Sequence, residues 1–220
     1  LSFHIISQVG YMIMGLGLAG SGNPTLAVFG LAGGMMMMVH NILVKSALLM
    51  ASGAAELEVG SGSLLRNQLS GLIRRRPMLA MLFFIAAMSL AGIPPSSGFV
   101  SKLALLQGAV QGQYWSIGAV SLLVNMLTLM SMLRLWQKAF FGTPTQPIYP
   151  TTPLSQPQRK VMTLAPIALL VALSIGIGLF NAPVFRGFTV AAEQIMDREG
   201  YIQAVAPTDT IIYAGGAHGE

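Results

Sequence analysis

The chain has 220 residues, of which 54% are hydrophobic and 9% charged, far below the roughly 25% charged of soluble domains, so it reads as a membrane protein. The formal net charge of +5 does not point to nucleic acid, because the cations lie in loops and at helix ends rather than on a basic face with interleaved aromatics. Cysteine is absent, which excludes disulfides, thiolate metal sites and cysteine nucleophiles without identifying a redox compartment.

Apolar runs long enough to cross a hydrocarbon core of about 30 Å lie near 2–20, 26–52, 78–94, 97–141 and 160–180. The run 97–141 is too long for one pass, so the expectation is about six crossings. Long unalternating runs exclude barrel strands, and the predicted fold class is all-α, a polytopic transmembrane helical bundle. The chain opens at Leu1 inside an apolar helix with no charged leader, so it reads as a fragment without a signal peptide.

The first helix, LSFHIISQVGYMIMGLGLAG, carries His4, Gln8 and Tyr11 at spacings that share one face, predicted to meet protein rather than lipid. SGNP at 21–24 ends it, because Gly and Asn accept turn dihedrals and Pro24 cannot donate to a preceding ladder. The second helix places His40, Asn41 and Lys45 at membrane depth, and its run of methionines reads as adaptable packing. Residues 53–77 read as a polar loop, with Arg74, Arg75 and Arg76 anchoring the interface before Pro77. The third helix stops at Pro94 and Pro95. A fourth begins around Ser97 and holds Lys102, with an interruption at Gly108, Gly112, Tyr114 and Trp115. The fifth runs over 116–141 and ends in an aromatic and basic belt of Arg134, Trp136 and Lys138.

Residues 142–158 form a proline-rich connector before the sixth helix, VMTLAPIALLVALSIGIGLF. The predicted organisation is a transmembrane domain over 1–181, an amphipathic surface segment over 182–205 and a disordered tail over 206–220. In the surface segment Val184, Phe188 and Ile195 oppose Glu193, Asp197 and Arg198. The loops at 53–77 and 142–160 both carry cations, yet this helix count puts them on opposite faces, so loop charge leaves the orientation undecided.

In the apolar spans before Arg134 the ionisable residues are His4, His40, Lys45 and Lys102, with no aspartate or glutamate among them. A lysine at mid-bilayer costs about 2.5–3.5 kcal/mol on insertion scales, so such lysines usually face a wet cavity and mark an ion or proton path. The alternative is snorkelling to an interface, which the long apolar run before Lys45 disfavours. Lys102 lies nearer a helix end, and its own position leaves both readings open. A lone histidine such as His40 is more often a packed, hydrogen-bonded residue than a proton carrier. His4, Gln8, Asn41, Ser97 and Ser101, however, add polar groups able to hold water along a continuous line. The chain's 3 histidines match no metal-ligand spacing, the glycine-rich segments lack a phosphate-loop lysine, and no catalytic triad or cofactor site is expected.

The stretches LSFHIISQVGYMIMGLGL, HNILVKSALL, SLAGIPPSSGFVSKLALLQ and REGYIQAVAP closely resemble the D-type subunits of Mrp-type multisubunit cation/proton antiporters. Those subunits are similar to the antiporter-like proton-pumping subunits of respiratory complex I. The resemblance covers residues 1 to about 207, and His4 and the terminal YIQAVAP favour the Mrp side. It implies an inverted-repeat fold with a broken helix at the ion path, here near 94–115, this chain being the second repeat plus the last helix. Lys102 falls on the family's titratable broken-helix position, and Lys45 on the lysine of its central hydrophilic axis. His40 and Asn41 occupy positions often held by histidine, and Gln8 a polar position that is histidine in some relatives.

The implied function is a membrane subunit of a Na+(cation)/H+ antiporter, a transporter without cofactor, that conducts protons through a relay of Lys102, Lys45 and His40. His4, Gln8, Asn41, Ser97 and Ser101 would support the path. Pro94 and Pro95 would free backbone carbonyls and admit water beside Lys102. The implied partners are other antiporter subunits, a first repeat on the same or another chain, the lipid bilayer, protons and monovalent cations. The implied location is the cytoplasmic (inner) membrane of a prokaryote. Two alternatives stand beside this one: a proton-pumping subunit of NADH:quinone oxidoreductase, and a purely structural subunit whose lysines pair with acids of neighbouring chains.

Overall fold

A computed structural model describes residues 2–59, 72–141 and 157–205; the expected tail and most of the expected connector lie outside the described residues. Every element among them is helical: α1 (Ser2–Ala19), α2 (Pro24–Val59), α3 (Leu72–Arg75), α4 (Pro77–Ala91), α5 (Ser97–Gln111), α6 (Trp115–Phe140), α7 (Pro157–Leu179), α8 (Asn181–Met196) and α9 (Arg198–Val205).

Helix α2 is the axis of the bundle. Asn23 caps it, its Oδ1 accepting from the Thr25 N–H at 3.1 Å, and Pro24 takes the first helical position, where a missing N–H costs nothing. The helix runs on to Val59, past the loop expected from residue 53. Buried Ala51, Ala54 and Ala55 pack into the core formed with Leu79, Phe83 and Ala87 of α4. That packing, together with the good helix formers Glu56 and Glu58, prolongs the helix. Helix α1 folds back on α2 through an approach that only glycine allows: a Cβ on Gly30 would lie 2.6 Å from the Gly15 carbonyl oxygen.

Helices α4 and α5 meet only at their adjoining ends, where Lys102 bonds the Leu90 carbonyl. They lie end to end as one interrupted column, and α6 runs antiparallel to both. At one end the Trp136 indole N–H donates to the Ala80 carbonyl at 3.3 Å and the Phe83 and Phe140 rings stand 5.2 Å apart. Midway Lys102 reaches Asn125, and at the far end Leu106 lies against Gly118. Hydropathy counts α4 and α5 as two passes because it registers each half-helix separately, whereas the structure makes them one column. Trp136, expected in an interfacial belt, is partly buried against α4 and packs on Phe84 at 4.6 Å.

Helix α7 also runs beside α2 and reaches the α4–α5 junction, where Gly178 meets the backbone of Pro95 and Ser96 so closely that a Cβ would overlap it. Helix α8 continues along the other half of α2, with the Phe185 and Phe29 rings 6.0 Å apart. The expected amphipathic segment over 182–205 therefore has a protein partner for the apolar side of α8, while Ile195 is exposed. Helix α8 also stops at Asp197, whose Oδ1 accepts from the Gly200 N–H at 2.9 Å and so caps α9.

Gly30→Ala should lower the unfolding temperature of the detergent-purified protein, with a cost of about 1–3 kcal/mol for overpacking. Gly17→Ala, where a Cβ meets nothing within 4 Å, should raise it, since alanine is favoured by roughly 0.5–1 kcal/mol in helix interiors. Thermal unfolding of the two variants side by side checks both signs.

Candidate functional site

The site grows out of the way α4 ends. Gly92 adopts φ 81, which glycine tolerates at no steric cost, and its N–H returns to the Ser89 carbonyl at 3.0 Å while the Ile93 N–H reaches Met88 at 3.1 Å. This Schellman closure satisfies two of the helix's terminal carbonyls. The carbonyl of Leu90 accepts instead from Lys102, whose Nζ donates to it at 2.9 Å. The same ammonium donates to Asn125 Oδ1 of α6 at 2.8 Å and stands 5.2 Å from the centre of the Tyr11 ring. The Tyr11 hydroxyl is itself tied to the Ser121 carbonyl.

Lys102 is 8% exposed, so the structure does not make it a snorkelling residue. Hydrogen bonds to a charged group contribute about 1.5–3 kcal/mol each, and two of them offset an insertion cost of about 2.5–3.5 kcal/mol. The negative end of the α4 dipole favours the cation further. A cavity of about 110 Å³ adjoins the amine, lined by Tyr11, Gly92, Lys102, Ser121 and Asn125 among others.

On the opposite side of the junction a hydroxyl chain links four helices. His40 Nδ1 and Ser97 Oγ are 2.8 Å apart, Ser97 and Ser174 hydroxyls 2.9 Å, and Ser174 and Ser89 hydroxyls 2.8 Å. His40 is fully buried, and a Cβ on Gly98 would come within 2.6 Å of its ring. Ser101 lies one turn beyond Ser97, with its hydroxyl 3.2 Å from Met37 Sδ. The chain's polarity follows the histidine. An Nδ1 without a proton accepts from Ser97, whereas an Nδ1 that carries one, in the neutral Nδ1–H tautomer or in the doubly protonated ring, donates to it and lets the donor order run the other way towards Ser89.

The remaining polar residues divide. Gln8 and Asn41 are buried; the Asn41 amide donates to the Met37 carbonyl at 2.8 Å. Both Gln8 amide atoms, Asn41 Oδ1 and His40 Nε2 have no hydrogen-bond partner among the described residues, and buried polar atoms of this kind commonly bind internal water. His4 Nε2 lies 3.1 Å from Ser131 Oγ of α6. Lys45 sits one turn from Asn41, partly exposed, and takes no part in the hydrogen bonds of the junction. Pro94 and Pro95 form the exposed turn between the half-helices. Thus the structure brings His40, Ser97, Ser101 and Lys102 to the junction and leaves Lys45 and His4 apart from it.

Four participants escape sequence reasoning: Asn125, Ser89, Ser174 and the Leu90 carbonyl. Asn125 is a lone amide in the apolar run of α6, a signal of the same kind that singled out Asn41. Ser174 in LVALSIGIG offers only a hydroxyl among small residues, and a backbone carbonyl leaves no sequence signal. Among the described residues no group of three or more His, Cys, Asp or Glu could hold a metal ion.

Residues 1–130 match the family model described as NADH:quinone oxidoreductase/Mrp antiporter, transmembrane. The D-type subunit of the Na(+)/H(+) antiporter of Alkalihalophilus pseudofirmus is 42% identical over 206 residues, covering 93% of this chain and 39% of that protein. The N-type subunit of the NADH-quinone oxidoreductase of Desulforudis audaxviator is 29% identical, over 84% of this chain and 36% of that protein. In structure, a chain of the Mrp complex from Dietzia sp. DQ12-45-1b superposes with a TM-score of 0.77 at 32% identity, covering 93% of this chain and 44% of that one. A chain of respiratory complex I from Thermus thermophilus shares the fold, with a TM-score of 0.52 at 18% identity over 84% and 44%. The chain thus spans about two fifths of the length of the curated relatives it matches.

Gly98→Ala should push the imidazole of His40 off Ser97 and destabilise the protein by about 1–3 kcal/mol. Ser174→Ala, which deletes one hydroxyl link, should cost about 1 kcal/mol and leave the His40–Ser97 contact in place. Nitrogen-15 NMR of the His40 ring should show a displaced Nδ1 resonance in the first variant and a near-native one in the second.

Proposed function

The chain belongs to the NADH:quinone oxidoreductase/Mrp antiporter transmembrane family, and on that premise we propose that it forms the second half of a proton-conducting subunit of a multisubunit Na+/H+ antiporter. The observation that carries the reading is Lys102: an ammonium held at 8% exposure on the open carbonyl end of a half-helix, beside a cavity. Intramembrane lysines kept at this cost usually mark an ion path, and broken helices are where transporters build one. The greater identity to a D-type antiporter subunit than to a quinone oxidoreductase subunit supports antiport over redox-driven pumping.

In this reading Lys102 takes and releases a proton while His40, Lys45 and the polar groups of Gln8, Asn41, Ser97 and Ser101 carry protons to and from it. Gln8, Asn41 and His40 have polar atoms left over for water, which supports a hydrated line on the α1–α2 side. The hydroxyl chain lets a proton on His40 Nδ1 reorder donors at the half-helix junction. Other antiporter subunits and a first repeat complete the path, in the cytoplasmic membrane of a prokaryote.

Helices α1, α2, α6 and α7 and the α4–α5 column each cross the bilayer. One interrupted column in place of two passes returns the chain, through α6, to the face from which α4 started. Single cysteines in this cysteine-free chain read that directly. Arg74→Cys and Lys138→Cys should react with an impermeant maleimide from one side, and Asn23→Cys and Gln111→Cys from the other. Labelling of positions 74 and 138 from opposite sides would restore the two-pass count.

Lys102→Ala should assemble normally and lower cation-dependent proton exchange in everted vesicles by about a hundredfold or more, as removal of a positioned proton-transfer group does. Lys102→Glu should retain more activity than alanine, because a carboxyl group can also relay protons. Lys102→Arg, which stays charged, should be nearly as inactive as alanine. Wild-type exchange in the alanine variant, at equal amounts of complex, would make Lys102 structural.

A further inference from the structure

We infer that the acceptors around the Lys102 ammonium form a binding site for a monovalent alkali cation, which the ammonium and the ion occupy in turn. Among the described residues the ammonium has no acidic partner. It is held by the Leu90 carbonyl, by Asn125 Oδ1 and by the face of Tyr11. A backbone carbonyl, an amide oxygen and an aromatic face are a ligand set without fixed charge, suited to a weakly held univalent ion. A divalent ion would require carboxylates. The carbonyl comes from a half-helix C-terminus, the kind of backbone that takes Na+ in discontinuous transporter helices, and its dipole points its negative end at the site.

The space is that of the lysine stem itself. A Cβ on Gly92 would stand 3.0 Å from Lys102 Cδ, so the turn closes directly on the side chain, and withdrawing the side chain vacates a pocket next to the 110 Å³ cavity. Waters in that cavity complete the coordination shell of an ion. Two unit positive charges in this poorly hydrated site repel strongly, so ammonium and ion exclude each other. When an ion arrives, the proton on Lys102 leaves through the cavity to solvent and the neutral amine withdraws from the Leu90 carbonyl and Asn125 Oδ1, which keeps the charge of the site at one. This would make the chain a carrier of cations as well as protons. It extends the proposed ion-path role, and its test reads binding rather than transport, so the two ideas fail separately.

The test uses the assembled complex carrying Lys102→Ala or Lys102→Ser, each of which empties the stem's space. Unfolding temperature is measured against rising Na+, K+ or methylammonium, with choline holding ionic strength constant. Both variants should show a saturable upward shift; the wild type, whose ammonium competes with the ion, should reach its shift only at higher cation concentration, and Lys102→Met, with its stem space filled and no amine to exchange, should show none. Adding Asn125→Leu to Lys102→Ala should raise the half-saturating concentration roughly tenfold to a hundredfold, the value of one hydrogen bond to a charge. No saturable shift in either small variant, an equal shift in Lys102→Met, or a half-saturation unmoved by Asn125→Leu would each overturn the inference.

Discussion

A lysine ammonium seated on the open carbonyl end of a half-helix is the constraint around which this bundle is organised. Removed from water, the charge of Lys102 needs at least two good acceptors, and an uninterrupted helix has no free carbonyl to give. The Pro94–Pro95 turn ends α4 early, Gly92 closes the helix with a left-handed residue, and the Leu90 oxygen is left facing Lys102. Asn125 supplies the second acceptor, which requires α6 to run along both half-helices at a fixed register. Breaking the helix and burying the charge are therefore one structural event.

The packing around the junction follows from the same need. A break exposes backbone, and something must cover it closely. Helix α7 does so with Gly178 against Pro95 and Ser96 and with Ser174 bonded to hydroxyls on both half-helices. Helix α2 covers the other side with His40 against Gly98. Small residues at these points let backbones approach, as they do between membrane helices generally. The long apolar seam of α2, α4 and α7, including Val44, Leu48, Phe83 and Ile167, then fixes α4 so that its open end cannot drift from the ammonium. The hydroxyl chain ties the His40 ring to the same junction.

Much of this was legible in the sequence. Helical character, the break at Pro94–Pro95 and the family resemblance all follow from runs and motifs that local chemistry dictates. Lys102 and His40 stood out because charge and imidazole are conspicuous in apolar surroundings. What was not legible depends on register between helices. Asn125 gains its meaning only from lying opposite Lys102, and Ser174 only from lying between Ser89 and Ser97. The Leu90 carbonyl is invisible to any side-chain pattern. The end of α2 is hidden in the sequence because Glu56 and Glu58 look like loop residues, whereas Ala51, Ala54 and Ala55 pack on α4. The union of α4 and α5 into one column likewise rests on contacts with α6, not on hydropathy.

Both the fold and the proposed ion path depend on where the Lys102 amine sits in the assembled protein, and a cryo-electron microscopy map of the whole complex that resolves side chains measures it directly. Lys102 Nζ should lie within hydrogen-bonding reach, about 2.7–3.2 Å, of both the Leu90 carbonyl and Asn125 Oδ1, with α4 and α5 aligned along α6. A Lys102 side chain extended to the lipid interface, or paired with a carboxylate from another chain, would contradict this arrangement.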